Sequence, residues 1–290
     1  MDKSVRIFIV ISAISVLQGL SLLRCAVAED EFPTDFKLSS RHIFDSDVEA
    51  TSGEINVTQS ELRLGHEFKV YEKLPVELSV HASHVDIDEN VATELPSHLE
   101  GRGFGIGTKF PVPFVESENY FMGIEARPSW FSDDNDMNSD SFRIPMRAYL
   151  IYKESDDLIL VGGVSIRPEF DDTVLRLIGF RYRPNDELSF NFLSDDPNIS
   201  YKWSDKLTLL WEFDYVRDEY EVTRNGVKGL ILKHRELSTG AGVQYALTDY
   251  INAAVSVGGV FSRRFEYEDD GGKVVPEGGL YTTIKVSANF

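Results

Sequence analysis

The sequence predicts an all-β protein, a transmembrane antiparallel up-and-down β-barrel of about fourteen strands, with twelve as the alternative count. Three observations carry this expectation. Apolar residues recur at every second position over stretches of about ten residues. Short polar turns alternate along the chain with longer, more acidic connections. The last ten residues, Tyr281 to Phe290, alternate without a break and end on an aromatic ring.

Residues 1–28 are set apart from the barrel at 29–290. Lys3 and Arg6 precede an uncharged run from Ile7 to Leu23, and Ala26-Val27-Ala28 stands before the acidic Glu29-Asp30-Glu31. This is the layout of a secretory signal peptide cut after Ala28. A lipoprotein reading needs a small residue before Cys25, and Arg24 occupies that place. The whole chain has 290 residues and a net charge of −19, from 29 basic and 48 acidic side chains. Cleavage would remove three basic residues and one acidic one, leaving 26 against 47, a charge of −21. It would also remove the only cysteine, so thiol chemistry and disulfides would have no place in the mature chain. A balance this acidic disfavours nucleic acid as a partner, because phosphate binding needs clustered cations.

The strands expected in order are 34–45, 55–72, 75–87, 101–112, 118–131, 140–153, 157–168, 172–183, 187–194, 197–204, 206–220, 230–247, 250–265 and 278–290. Twelve is the answer if 187–204 is not a hairpin, or if the first hairpin is irregular. The alternation is clearest in Leu207 to Tyr215, in Leu237 to Leu247 and in Ile251 to Phe261. Tight turns are expected at Lys73 to Pro75, Glu154 to Asp157, Asn185-Asp186, Ser204 to Lys206 and Thr248-Asp249. Longer connections are expected at 86–100, 132–140, 169–172, 195–196, 217–229 and 266–279.

Aromatic residues cluster at both levels where a barrel meets its interfaces. Tyr120, Tyr152, Tyr182, Tyr201, Trp203, Tyr245 and Phe290 fall near turn ends. Trp130, Phe142, Tyr215, Phe261 and Phe265 fall near loop ends. Pro128 and Pro145 lie inside expected strands, where a missing N–H suggests bulges.

In the final strand Ile284, Val286, Ala288 and Phe290 share one face, and Thr283, Lys285, Ser287 and Asn289 the other. With Tyr281 at its start, this stretch resembles the C-terminal assembly signal of bacterial outer-membrane proteins. That resemblance implies an outer-membrane location, the barrel assembly machinery as a partner, and contact with lipid and lipopolysaccharide. The second half of the chain also resembles an uncharacterised family of bacterial outer-membrane proteins, a domain of unknown function. The residues that carry this are Phe142-Arg-Ile-Pro, Phe180-Arg-Tyr-Arg-Pro, Pro197-Asn-Ile-Ser-Tyr, Gly240-Ala-Gly-Val-Gln-Tyr and Arg263-Arg-Phe-Glu-Tyr. The family implies a fold and brings no functional residues.

No catalytic signature is present. The six histidines, His42, His66, His81, His84, His98 and His234, form no metal or triad spacing, and they are expected to be exposed or lumenal. Asp134, Asp136, Asn138 and Asp140 repeat oxygen ligands at every second position, a candidate for weak Ca²⁺ binding at the rim. The stretch lacks the glycine and the bidentate glutamate of an EF-hand. Gly101, Gly103, Gly105 and Gly107 share one strand face, which suggests curvature or clearance for an inward loop such as 88–100.

The wall facing the lumen is expected to carry Glu61, Arg63, Glu67, Lys69, Glu125, Arg127, Arg143, Arg147, Arg167, Glu212, Asp214, Arg264 and Lys285, since charges cannot face lipid. More strands than the eight that side chains can fill leave room for a lumen. The functional expectation is a porin-like, non-enzymatic channel for small polar solutes. A structural or adhesion barrel with acidic loops is the alternative, and a barrel enzyme acting on lipid or glycan is third. No cofactor is expected beyond the Ca²⁺ candidate.

Overall fold

A computed structural model describes residues 34–49, 53–70, 74–90, 93–115, 117–134, 138–168, 170–193, 196–268 and 272–290. The signal segment, 1–28, lies outside the described residues. Fourteen antiparallel strands close into one barrel, and no helix occurs among the described residues. The strands are β1 (Thr34–Asp47), β2 (Glu54–Val70), β3 (Leu74–Glu89) and β4 (His98–Pro111), then β5 in two pieces (Tyr120–Ala126 and Ser129–Ser132) and β6 in two pieces (Phe142–Arg143 and Met146–Lys153). They continue as β7 (Leu158–Ile166), β8 (Val174–Tyr182), β9 (Leu188–Asn191), β10 (Asn198–Lys202), β11 (Leu207–Arg224), β12 (Val227–Ala246), β13 (Ile251–Tyr267) and β14 (Gly279–Asn289).

Each strand pairs with its chain neighbours, and the last closes on the first. β14 lies against β1 in unbroken register from Asp35↔Asn289 to Ile43↔Tyr281. The amide of Thr34 donates to the Phe290 carbonyl and that of Phe290 to the Thr34 carbonyl, each at 3.0 Å. The alternation of the C-terminal strand therefore has a structural use, since it supplies the edge that seals the sheet.

The short turns share one device. Ser155 Oγ accepts the Leu158 amide at 3.1 Å, Asn185 Oδ1 that of Leu188 at 2.8 Å, Ser204 Oγ that of Leu207 at 3.1 Å and Thr248 Oγ1 that of Ile251 at 3.0 Å. In each case a small polar side chain takes the N–H three residues on and replaces a backbone acceptor in the turn. At the other end, the expected loop 217–229 is not a loop. β11 and β12 run on as a hairpin to a two-residue turn, Asn225-Gly226, with φ of 51° and 80°. Asn-Gly is the pair that supplies the positive φ such a turn requires. Its charged flanks concealed it in the hydropathy pattern.

Pro128 and Pro145 do not mark bulges. β5 and β6 keep one register across them, from Ala126↔Met146 to Ser129↔Arg143. The Arg127 amide donates to the Pro145 carbonyl at 2.8 Å, and the Phe104 amide to the Pro128 carbonyl at 3.1 Å. The prolines stand at one level of neighbouring strands and interrupt both ladders together.

A bulge does occur in β13. Leu237 pairs with Ser262 and Ser238 with Val260, so Phe261 is the extra residue. One extra residue reverses every later side chain. Phe265, expected in the outer girdle, is fully buried inside the barrel, and Arg263 is buried with it. Arg264, expected in the lumen, is exposed and pairs with Glu266 at 3.5 Å.

Outward positions carry an apolar band that includes Leu78, Val80, Ile106, Ile124, Leu150, Val164, Ile178, Trp211, Val243 and Val257, all exposed. Rings gather near the turn ends, with Tyr120 and Tyr152 at 4.8 Å and Tyr250 and Phe290 at 6.0 Å between centroids. The outward Trp211 satisfies its indole N–H on Thr239 Oγ1 at 2.8 Å, so the ring sits in the apolar band without an orphan donor.

Inside, the loop-side half holds an apolar core, with Arg263, His234 and Glu236 enclosed beside it. Ile43, Ile55, Val57, Leu99, Leu232 and Phe265 are completely enclosed, with Tyr220 and Val222 against them. β11 also leaves its neighbour β10 at this level and reaches across to β5. Glu221 bridges to Ser132, the Asp133 amide donates to the Glu221 carbonyl at 3.2 Å, and the Thr223 amide donates to Asp133 Oδ2 at 2.8 Å. The loop end is thereby drawn into a narrower cylinder that the core fills.

Truncating Phe265 to alanine removes the ring that stacks on His234 at 4.6 Å at the middle of this core. The expected cost is about 3–5 kcal/mol of barrel stability, read as a lower urea midpoint for the loss of the compact, heat-modifiable form on gels.

Candidate functional site

Beneath the apolar core the inward residues turn polar, for a reason visible in the register. On β1 the inward positions run from Ile43 in the core to Arg41, Ser39 and Lys37. β2 gives Val57, then Gln59, Glu61 and Arg63, and β14 gives Tyr281, Thr283 and Lys285. The polar ones from Arg41 to Lys37, Gln59 and Glu61, and Tyr281 to Lys285 surround a cavity of about 160 Å³ whose other walls are Asp196 and Pro197, from the β9–β10 connection, and Glu212 to Asp214 of β11.

Charges of opposite sign brace this level. Arg41 Nη1 meets Asp214 at 2.9 Å and lies 3.0 Å from Glu236 Oε1, the latter contact outside hydrogen-bond alignment. Its guanidinium stacks 3.9 Å above the Tyr281 ring. Gly240 and Gly258 admit that ring, since a Cβ at Gly240 would lie 2.4 Å from the Tyr281 hydroxyl. Lys285 bonds Glu212 at 2.6 Å, Ser256 also donates to Glu212, and Lys37 pairs with Asp196.

The expected lumen residues fall into four groups. Glu212 and Asp214 line the cavity. Arg63 pairs with Glu77 at 2.9 Å, Arg127 with Glu125, and Arg147 stands in register with Glu125, while Glu67 lies opposite Glu77. Arg143 and Arg167 are buried higher up. Arg143 donates to the Asp140 and Phe142 carbonyls. Arg167 lies 3.9 Å over the Phe170 ring and donates to the Arg217 carbonyl at 2.8 Å. Arg264 is on the outside, as the β13 bulge requires. Of the C-terminal set, Tyr281 faces inward, opposite to Ile284, Val286, Ala288 and Phe290.

The wall changes at β8. This strand pairs with β9 only at Arg181↔Asn191 and Tyr182↔Phe190, and β10 pairs with β11 only from Asn198↔Glu212 to Lys202↔Thr208. Above these short strands, among the described residues, no ladder joins 174–179 of β8 to 214–220 of β11. The β7–β8 loop closes over the upper part of the gap. Phe170 is buried against Phe131, the Asp171 amide donates to both Glu219 carboxylate oxygens at 3.2 Å, and Lys233 holds Asp171 at 3.0 Å.

Other expectations resolve locally. The inward glycines clear space for side chains rather than for loop 88–100: a Cβ at Gly101 would lie 3.2 Å from the Phe131 ring, and one at Gly103 2.8 Å from His81. His81 faces inward and shares a 2.9 Å hydrogen bond with Ser129 Oγ, a pairing that no sequence spacing announces. Ser129 is fully buried and donates its proton to the Arg127 carbonyl, so the pair braces the β3–β5 region. His84 points outward to Asp86. His234 is neither exposed nor lumenal; it is buried on Phe265.

At the calcium candidate, Asp136 lies outside the described residues. Asp134 accepts from Ser132 at 3.2 Å, and Asn138 Oδ1 is committed to the amides of Asp140 and Ser141 at 2.8 and 2.9 Å. Among the described residues no three metal-ligating side chains converge.

No family model matches the chain, and no curated protein matches it either. Among solved structures it is similar to an outer membrane channel from Pseudomonas putida F1, at 11% identity and a TM-score of 0.49 over 91% of this chain and 97% of that one. It is also similar to a Pseudomonas aeruginosa FadL homologue, at 10% identity and a TM-score of 0.46 over 90% of each chain. A third likeness is to a mutant of the monoaromatic hydrocarbon channel TodX, at 9% identity and a TM-score of 0.40 over 92% of each.

Two outcomes follow from the charge network. Arg41→Leu strands Asp214 and the buried Glu236 together, and breaking such a pair costs about 3–5 kcal/mol, measurable as a lower unfolding midpoint. The hydrogen bond from Lys233 holds the Asp171 carboxyl below its ordinary range. A depressed carboxylate contributes stability above its unfolded pKa and loses it as pH falls through the folded value. Proteolysis of the β7–β8 loop is therefore expected to stay slow at neutral pH and to accelerate only below the usual carboxylate range, and Lys233→Met abolishes that pH dependence.

Proposed function

We propose that this chain is an outer-membrane channel that passes small polar solutes. The observation that carries this reading is the contrast between an apolar exterior and a charged interior with solvent-reached acidic groups such as Glu61 and Asp214. Ionisable residues enclosed by an apolar wall mark a water-filled path. The C-terminal strand that seals the barrel supports the outer-membrane location, since only a sheet without edges is stable in lipid.

The route is not a straight bore. The apolar core blocks the loop-side mouth, while the polar lumen extends from the turn side to the level of Arg41. The side of the wall between β8 and β11 lacks a ladder near that level, and backbone groups left open there need water or protein cover. A solute path leaving the lumen through the side of the barrel, under the β7–β8 loop, accounts for both features.

The apolar core also favours a second reading, a non-conducting barrel whose acidic loops serve surface adhesion or envelope structure. Planar-bilayer recordings separate the two. The channel reading expects small, discrete conductance steps from the folded barrel, enlarged when Asp171 and Asp172 are replaced by asparagine to loosen the loop. Silence from protein that is folded by its gel mobility would sink it in favour of the second.

A further inference from the structure

The outer face of β11, β12 and β13 carries an arrangement that the lumen does not explain. From the turn end, the outward positions of Leu207 to Tyr215, Tyr245 to Leu237 and Ile251 to Phe261 are uncharged throughout, in runs of nine, nine and eleven residues. A tilted strand needs about 9–11 residues to cross the hydrocarbon. The first outward charge beyond each run is an arginine: Arg217, Arg235 and Arg264. They stand in one row, because Arg217 is opposite Arg235 and Arg235 is opposite Arg264 in the strand register. Beneath the row Tyr215, Leu237 and Phe261 are exposed and form an apolar ledge.

Like charges directly opposite one another on neighbouring strands repel, so such a row needs counter-charge. The protein supplies part of it. Asp172 of the β7–β8 loop contacts Arg217 and lies 3.4 Å from Arg235 Nη2, and Glu266 lies 3.5 Å from Arg264 Nη1. Asp171 is held more closely by Lys233, at 3.0 Å, than by Arg235, at 3.9 Å. Three guanidiniums thus share two close carboxylates, an excess of one positive charge on a chain whose net charge is −19. The side chains of Arg235 and Arg264 are 32% and 46% exposed and each commits one nitrogen; among the described residues no other hydrogen bond engages them. Neighbouring strands lie about 4.8 Å apart, so the remaining N–H groups of both forks can converge on one ligand.

In an outer-membrane barrel short turns face the periplasm and longer loops the exterior. The row therefore stands at the headgroup level of the outer leaflet, and the ledge stands among the chains below. A ligand that answers both is an amphiphile with an anionic head. Two guanidinium forks closing on one head favour a phosphate monoester, with three acceptor oxygens and close to two negative charges, over a carboxylate with two oxygens and one charge. We propose that Arg235 and Arg264, with Arg217 beside them, bind the phosphate of an outer-leaflet lipid of the phosphate monoester class, whose acyl chains lie on Leu237 and Phe261. The site rests on the outer-membrane location given under the proposed function and not on conduction. Arg217 also holds the β7–β8 loop through Asp172, so the bound lipid abuts the cover of the side path.

The test uses the full, folded barrel in detergent and three probes: lipid A, which carries phosphate monoesters, the same lipid after dephosphorylation, and inorganic phosphate. Native mass spectrometry is expected to show a saturable lipid A adduct, with the dephosphorylated lipid about tenfold weaker or more. Inorganic phosphate at the same concentration is expected not to displace lipid A, because it cannot use the apolar ledge. Arg264→Gln is expected to weaken lipid A about tenfold and to leave the unfolding midpoint in place, while Arg176→Gln, at an exposed arginine of β8 outside the row, leaves binding unchanged. If Arg264→Gln does not fold, the three-probe comparison on the unaltered protein decides alone. Equal binding of the dephosphorylated lipid, displacement by inorganic phosphate, the same loss in both variants, or no adduct at all overturns the proposal. Planar-bilayer recordings of the same preparation keep the two ideas apart. A lipid A adduct on a silent barrel removes the channel and keeps the site, while conductance without the adduct does the reverse.

Discussion

The constraint on which everything else depends is that a sheet with an apolar outer face cannot keep an open edge. Each unpaired N–H or C=O facing hydrocarbon costs several kcal/mol, and a fourteen-strand sheet has two edges to lose. The long register between β1 and β14, with Thr34 and Phe290 exchanging both backbone bonds, removes them. Once the sheet is closed, strand parity decides which side chains face outward and which meet one another. The apolar band, the ring clusters and the charged lumen are consequences of that closure and its period of two.

Parity has a weakness, which is that one residue is enough to invert it. The bulge at Phe261 sends Arg263 and Phe265 inward and Arg264 outward, and it thereby completes the core with an aromatic ring stacked on His234. The paired interruptions at Pro128 and Pro145 do the opposite. They remove ladder bonds but leave the register intact, so Ser129 and Phe131 still point into the barrel beside the inward glycines of β4. Local breaks in hydrogen bonding and breaks in parity are different events, and only the second relocates function.

The interior divides into two media. Toward the loops it is packed like the core of a soluble domain, while toward the turns it is a cross-braced ionic lumen. The boundary runs through Arg41 and Tyr281, where a guanidinium lies flat on a ring and faces carboxylates below. That boundary is the floor of the apolar core, and charge interactions there strengthen as water is excluded. The short strands β9 and β10 give this floor a side, and the β7–β8 loop, tied down by Asp171 and Phe170, gives the side a cover.

Much of this was legible in the residues themselves. Alternation in 207–215, 237–247 and 251–261 specified strands and their apolar face, and the tail from Tyr281 to Phe290 identified the closing edge. The expected inward places of Arg63, Arg127, Glu212 and Asp214 followed from parity alone, and so did the opposite facing of His81 and His84. The hairpin tip at Asn225-Gly226 was written in the sequence as well, but charged flanks masked it. What only the tertiary structure decided is everything that depends on one strand seeing another across the barrel. The bulge at Phe261 is set by the register with β12, the Arg41–Asp214–Glu236 cluster joins β1 to the β11–β12 hairpin across the barrel, and the apolar core collects residues from β1 to β5 and β11 to β14. Period two fixes which way a side chain points relative to its own strand. It carries no information about how far a facing strand is shifted or where the chain inserts one residue, and those two quantities determine which inward groups finally touch.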